Sequence, residues 1–474
     1  MTKRVIVIGA GVGGLAAALQ LARCNFSVRV IEARVGDITT ATGGLAAGFE
    51  RDGLNFDAGP YILLDRPGLQ WAFQSLGLEL EEHVQMRRIV DVYEVSSSNG
   101  PPVCFHADLA ETAAGMERAS PGSGKRYEHF VRSTEIIYRR LNPLLRVSRP
   151  GPLDLLRRRA WMHVPFLLQP LGSILARTNL PSPVINAIGI WTHVAGHSIN
   201  EAPSPLAFVP ALIHTIGAFY PTGGIASITQ ALAQTAVAAG VEFQYGTKVR
   251  AIRCERGRVH GVVTEDDGFI AADVVVSNHS GVGTYLEMLD ETPPAVRKSL
   301  HKLPLQSPGA CVYLAVRGGA RPPYLHFHLP GHGELCRLLI TPAVVAPELE
   351  RDGWRPARLL APMNYEVAEH IGVEGQREYL EQLLAEDWWH EHAGEFRVLA
   401  TRVPAEWGAQ FNLYRDSMNP VMTARLMRAG RLAHRSPFVR GLYLAGSSAH
   451  PGQWVSFCAI SGVLAANAVI EDFS

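Results

Sequence analysis

VIVIGAGVGGLAAALQLARCNFSVRVIEAR, residues 5–34, reads as one strand–turn–helix–strand unit that closes on an acid. Val5–Ile8 is a continuous apolar run rich in β-branched residues, as expected of a strand buried on both faces of a parallel sheet. Gly9, Gly11 and Gly14 follow as G-x-G-x-x-G and open a small-residue helix from about Gly13 to Arg23. In that motif Gly9 permits the tight turn, Gly11 lets the backbone approach a pyrophosphate, and Gly14 lets the helix pack close to the strand. The unpaired N–H groups and the dipole at the helix start favour a diphosphate. A second strand, Ser27–Ile31, ends at Glu32, 18 residues past Gly14, the right distance for an acid that grips a ribose hydroxyl. An acid rather than a base there favours a free 2′-hydroxyl over a 2′-phosphate, and FAD and NAD both satisfy the unit. Lys3 and Arg4 ahead of an apolar run imitate the start of a secretion signal, but the glycines, the second strand and the acid argue against one. The same run is too broken by glycine for a membrane span.

The chain has 474 residues, more than one hydrophobic core usually supports, so two or three domains are expected. Lys+Arg and Asp+Glu balance at 44 each, which excludes the basic footprint of a nucleic-acid binder. The six cysteines, Cys24, Cys104, Cys254, Cys311, Cys336 and Cys458, are scattered with no C-x-x-C pair. That usage fits a reduced cytoplasm and gives neither a disulfide nor a zinc framework.

Working outward from the first unit, a loop at 39–48 holds the pair Gly43–Gly44. GLNFDAGPYILL (53–64) reads as a strand, a turn at Ala58–Pro60 and a further short strand. Residues 68–165 read as mostly helical. Pro150 and Pro152 break a stretch crowded with arginine and leucine into separate helices. PTGG (221–224) leads into a helix over 225–239, followed by short strands at 241–245 and 249–254. A hairpin spans 258–271, and a buried parallel strand, Val274–Ser277, ends at Asn278. Strands at 310–316 and 336–341 and a helix at 376–385 come next, then a buried strand at 441–445, a glycine turn and a helix over 456–471. The predicted fold is α/β: a Rossmann-like dinucleotide domain assembled from three chain segments (1–95, 215–285 and 426–474), and an α+β substrate domain. The latter takes a helical insertion from 96–214 and its sheet from 286–425.

With these segments in hand, the chain resembles the phytoene desaturase (carotenoid desaturase) group of the flavin amine oxidase superfamily. The residues that carry the resemblance are Gly9, Gly11, Gly14 and Glu32; FDAGP at 56–60; YPTGG at 220–224; ADVVVSN at 272–278; and GLYLAGSSAHPG at 441–452. They occur in order over nearly the whole length. The H-P-G before a C-terminal helix is typical of carotenoid-desaturase-like proteins. The resemblance implies FAD as the cofactor, clasped between the two ends of the chain. It places Gly9, Gly11, Val12, Gly13, Gly14, Glu32, Ala33 and Arg34 at the ADP moiety, and Gly43, Gly44 and Leu45 at the diphosphate and ribitol. Gly59, Pro60, Tyr61 and Ile62 would pass beside the isoalloxazine, and Val249 would meet the adenine through its backbone. Gly446 and Ser447 would touch the ribitol–phosphate region. Val455, at a helix start, would aim its N–H at the N1/C2 edge, where a reduced flavin carries negative charge. Leu45 stands where many relatives carry an arginine, leaving Arg34 or Arg51 to neutralise the diphosphate. Ser447 replaces the acid of the amine oxidase branch, and Gln453–Trp454 replaces small residues after H-P-G, reshaping the substrate cavity.

The resemblance implies hydride transfer between a substrate carbon and the flavin, with a long apolar polyene as substrate. No H-E-x-x-H, G-x-S-x-G or clustered acids occur, and no metal ligands are predicted. His193 and His197 could share a helix face but have no acid or cysteine partner. His450 and Trp454 are the flavin-proximal candidates for catalysis. His450 either bonds flavin or substrate, or braces its turn through a backbone carbonyl. The arginine–leucine stretch over 139–178 either docks peripherally on an anionic membrane, with Trp161 at the interface, or is a solvated helical face. Carotenoid-type desaturation and redox-coupled ring closure of a polyene both fit. The other expectations are a carotenoid cis–trans isomerase using reduced FAD, and a flavin-free prenyl- or lipid-binding escort protein, against which the intact glycine turn speaks. The electron acceptor is left open between oxygen, quinone and another carrier.

Overall fold

The computed structural model describes residues 2–98, 100–320, 323–331 and 333–473. Its first sheet has five parallel strands in the order Leu442–Leu444, Val274–Ser277, Arg4–Ile8, Ser27–Ile31, Glu242–Gln244. These strands come from the beginning, middle and end of the chain, as the three continuous apolar runs require, since each is buried on both faces. Their carboxyl ends lie together where Gly9, Glu32 and Asn278 leave the sheet, which is where open parallel sheets bind ligands.

The helix Val12–Arg23 crosses this sheet and carries the C-terminal helix Val455–Phe473 on its back. That close approach depends on small residues. A Cβ on Gly462 would strike the carbonyl of Gly13 and lie 2.8 Å from the Cβ of Ala16. Val455–Phe473 is also long and apolar enough to cross a membrane, but most of it is buried inside the fold, where an apolar core helix passes the same test.

A second sheet has seven strands in the order Glu395–Arg402, Ala310–Arg317, Arg355–Ala361, Arg337–Ile340, Leu325–Leu329, Asp91–Ser97, Gly100–His106. All neighbours are antiparallel except Leu325–Leu329 with Asp91–Ser97. Residues 68–165 are therefore less helical than the sequence suggests. They contain Met86–Ile89, Asp91–Ser97 and Gly100–His106, whose strand state is fixed by pairing with segments more than a hundred residues away or with each other. The short strand expected after the Ala58–Pro60 turn is only a single bridge, Leu63 to Phe219. Helices from Ser123–Leu141 to Phe208–Thr215 form the insertion. Pro152 starts one of its short helices, as the sequence break predicts.

Candidate active site

Between the two sheets and the helical insertion runs one cavity of about 1000 Å³. At one end it is lined by Gly9, Gly11, Val12, Gly13, Glu32, Ala33, Arg34 and Val249, and in the middle by Gly43, Gly44, Leu45, Gly59, Pro60, Tyr61 and Ile62. Ser447, His450, Trp454 and Val455 also line it, as do Leu145, Leu155, Val164, Leu167 and Leu168 of the insertion. Two of the residues expected at the cofactor lie just behind the wall. A Cβ on Gly14 would strike the carbonyl of Gly9, so this glycine sets the helix-to-strand packing. Gly446, at φ +83°, presses against Gly13, where an added Cβ would sit 2.6 Å from the Gly446 Cα and N.

The glycine turn is built as an anion cradle. Gly11 precedes the helix in an extended conformation, no side chain caps the first turn, and no acid lies in it. Gly43 N–H donates to the carbonyl of Ala10 at 2.8 Å, holding the Gly43–Gly44 loop over the turn. The carboxylate of Glu32 is buried and fixed: Oε2 accepts the N–H of Ala10 at 2.8 Å and Oε1 that of Arg34 at 2.9 Å. Arg34 has a buried guanidinium nitrogen without a hydrogen-bond partner among the described residues, and its guanidinium lies 5.3 Å from the Phe411 ring centroid. The uncapped helix start fits a diphosphate, and Arg34 brings a buried, unpaired cationic nitrogen to the wall of the same cavity. Arg51 is exposed and is not part of the cavity wall.

Several residues that the sequence reading passed over hold this site. The Asn278 side chain packs beneath three glycines, 2.6 Å from a Cβ on Gly11 and 2.7 Å from one on Gly13, and against Gly446. Its place at the end of ADVVVSN was the available signal. Arg358 on Arg355–Ala361 is fully buried and donates to the carbonyls of Asp57 (2.8 Å), Ala58 (3.1 Å) and Gly59 (2.7 Å). Tyr313 donates to Ala58 at 2.9 Å and Tyr324 to the carbonyl of Tyr61. Asp57 in turn accepts Tyr220 Oη at 2.7 Å and Ile225 N–H at 2.7 Å. Burial pushes its carboxyl up, against the pull of Tyr220 and Arg358. The FDAGP turn is thus clamped by the second sheet, and that clamp fixes Gly59–Ile62 along the cavity.

His450 Nε2 lies 3.2 Å from the carbonyl of Leu144, tying the C-terminal turn to the insertion. Burial lowers its pKa to about 4, so the ring is neutral. Trp454 is half-buried and stacked on Phe457 at 5.0 Å. Ser447 donates to Asn419 Oδ1 at 2.8 Å, and its carbonyl accepts from Arg431 at 3.1 Å. His193 accepts the N–H of Cys336 at 3.1 Å, while His197 Nε2 lies 3.3 Å from the carbonyl of Met422, so the two serve different partners.

An acid that the sequence did not single out stands in the cavity wall. Asp65 is 1% exposed, and its Oδ1 accepts from Gly68 N–H at 3.2 Å and from Tyr138 Oη at 3.3 Å, while Oδ2 makes no direct hydrogen bond. Burial pushes its pKa up to about 6, moderated first by the Ser456 hydroxyl and then by Gly68, Tyr138 and Arg146.

A glycine-turn crevice at the switch point of a parallel sheet, continuous with an apolar cavity, is the architecture of a dinucleotide-binding α/β protein. The family model for FAD dependent oxidoreductases matches residues 4–336, and the chain belongs to that family. FAD is its cofactor. A zeta-carotene-forming phytoene desaturase of Myxococcus xanthus is 30% identical over 319 residues, covering 66% of this chain and 60% of that protein. A phytoene desaturase of Fusarium fujikuroi is 25% identical over 99% of this chain and 90% of its own. A 4,4'-diapolycopene oxygenase of a Methylomonas species is 23% identical over 99% and 98%. Among solved structures, an oxidoreductase from Methanosarcina mazei superposes with a TM-score of 0.70 at 18% identity, over 99% of this chain and 100% of that one. Putrescine oxidase bound to putrescine gives 0.67 at 16%, over 99% of each. Both share the fold.

Proposed function

We propose that this FAD-dependent oxidoreductase dehydrogenates a long apolar polyene. The observation that carries the reading is that one cavity is lined both by Glu32 and the glycine turn and by leucines of the insertion. Relatives named as phytoene desaturases support the same substrate class.

Glu32 would bind the ribose. The N–H groups of Gly11, Val12, Gly13 and Gly14, with Arg34, would face the diphosphate. Gly43–Leu45, Gly59–Ile62, Val249, Gly446, Ser447 and Val455 would complete the cradle. When bound, FAD supplies the acceptor for a substrate hydride. The remaining proton needs a base, and we assign that role to Asp65, whose carboxylate belongs to the cavity wall and, with a pKa of about 6, is ionised at neutral pH. The neutral His450 and the stacked Trp454 shape the cavity between that base and the insertion.

The substrate would enter through the insertion. Leu168 is 50% exposed yet lines the cavity, so it marks a mouth. Around it Leu153, Leu156, Trp161 and Met162 are exposed beside Arg157, Arg158 and Arg159. Apolar side chains facing outward next to cationic ones suit docking on an anionic membrane, from which a polyene could pass inward without crossing water. The test is anaerobic incubation of the yellow holoprotein with a C40 polyene in anionic vesicles. Flavin bleaching with a product of longer conjugation is expected. A flavin that stays oxidised, with the polyene recovered unchanged, sinks the proposal.

A further inference from the structure

On the face of the seven-stranded sheet turned away from the cavity, three ligating side chains converge. Glu94 and His326 are direct partners on the parallel strands Asp91–Ser97 and Leu325–Leu329, so the pleat sends both to one face. Their neighbours Tyr93 and Phe327 point the other way and pack against Trp191. His392, on the short helix His390–Ala393, comes down onto the same face, its ring centroid 4.4 Å from that of His326. One ligand atom from each of Glu94, His326 and His392 lies within 4.8 Å of the other two.

Two buried imidazole nitrogens of this cluster have no hydrogen-bond partner among the described residues. His326 is 5% exposed, and its Nδ1 has no hydrogen-bond partner among the described residues; the nearest acid oxygen, Glu94 Oε1, is 3.6 Å away. His392 Nδ1 is likewise buried and unpartnered. Buried polar atoms are normally satisfied, and His326 Nδ1 faces a carboxylate at a distance too long for a hydrogen bond. The opposite edge of the His326 ring explains which nitrogen is free. Nε2 lies 3.0 Å from Ser96 Oγ, which also lies 3.1 Å from His328 Nδ1 and reaches the carbonyl of Phe327 at 3.3 Å. Ser96 can accept Nε2–H and donate to that carbonyl, which turns the bare Nδ1 lone pair toward Glu94, the arrangement that orients metal-binding histidines. Cys104 donates to Glu94 Oε2 at 3.4 Å, leaving Oε1 to the imidazoles.

We propose that Glu94, His326 and His392 bind a divalent transition metal, zinc above all, that pins the segment Asp387–Ala393 to the sheet. Two imidazoles and a carboxylate are a zinc donor set, with water in the fourth position. Tetrahedral bonds of about 2.0–2.1 Å place ligand atoms about 3.4 Å apart. His326 and Glu94 stand near that spacing already, and His392 closes the rest by turning its side chain. The site lies across the sheet from the cavity, so it stands apart from the dehydrogenation and would act by holding His390–Ala393 against the sheet. It has no signature spacing because its ligands come from three distant stretches, which is why the sequence predicts no metal.

The test uses the full-length, flavin-loaded protein, stripped with a chelator and then titrated with zinc alone. Calorimetry and elemental analysis are expected to give one zinc per chain, with a higher melting temperature on binding. Glu94→Gln and His392→Ala should abolish the binding while the flavin content, which reports folding, stays that of wild type. Ser96→Ala should weaken zinc about 10–100-fold. Wild type that takes up less than about a tenth of a zinc per chain overturns the proposal, since a built site of this kind binds stoichiometrically. So does His392→Ala or Glu94→Gln binding zinc as wild type does.

Discussion

Asp65→Asn should make the protein more stable and less active at once. The Asp65 carboxyl titrates near 3.8 when solvated and at about 6 in the fold, because burial penalises its charge. Two units correspond to about 3 kcal/mol. The folded state holds this proton more tightly than the unfolded chain does. The group's contribution is therefore fully present below about pH 4, is lost as pH rises toward 6, and stays lost at pH 7. Asparagine does not titrate. It keeps an oxygen to accept from Gly68 N–H at the start of the helix Arg66–Ser75, and from Tyr138 Oη, so the cap survives. Its amide N–H can reach the Ser456 hydroxyl, which has no other partner among the described residues. Urea denaturation at pH 7 should show a gain of up to about 3 kcal/mol, shrinking to near zero at pH 4. If Asp65 takes the substrate proton, the wild-type rate climbs through about pH 6, whereas the variant loses roughly 10²–10⁴-fold and shows no such limb. An asparagine variant destabilised equally at both pH values would refute the burial argument, and one with the wild-type rate would refute the role as base.

Gly13→Ala sets a methyl group 2.6 Å from the backbone of Gly446 and 2.7 Å from Asn278 Oδ1. Backbone gives way poorly, so we expect a cost of about 1–3 kcal/mol and purified protein that is largely colourless; wild-type flavin content would count against the clasp. Arg358→Met removes a buried cation from three carbonyls of the FDAGP turn and from the neighbourhood of Asp57, and should cost about 3–5 kcal/mol in denaturant titrations. A loss under about 1 kcal/mol would mean that Tyr313 and Tyr324 hold the turn by themselves. For the insertion, Trp161→Ala combined with Arg158→Glu should reduce sedimentation with anionic vesicles at low salt and leave activity on detergent-dispersed polyene unchanged. Equal sedimentation would place the docking surface elsewhere.

Local sequence was sufficient for the dinucleotide crevice. A buried parallel strand must be apolar on both faces, a diphosphate needs glycine backbone at a helix start, and a ribose needs an acid at fixed reach. Each of these is a short-range demand, legible in Val5–Glu32, in Val274–Asn278 and in the turn after Leu444. The strands Asp91–Ser97 and Gly100–His106 were not legible, because their pairing with Leu325–Leu329 and with each other outweighs a weak local pattern. Nor were Arg358, Asp65 and the Glu94–His326–His392 cluster. Nothing near an arginine in a strand says that it will be buried on three carbonyls from residues 57–59. Nothing near Asp65 says that the fold will bury it beside Ser456 and Tyr138, or that burial will lift its pKa against their hydrogen bonds. The sequence alone determined that the first unit can cradle a dinucleotide with a free ribose hydroxyl, since that chemistry is written within a single turn and the acid that follows it. Only the tertiary structure decided how the FDAGP turn is clamped, where the buried Asp65 stands and which imidazole and carboxylate side chains meet on the far face, because burial and charge pairing arise between segments that are distant in the chain.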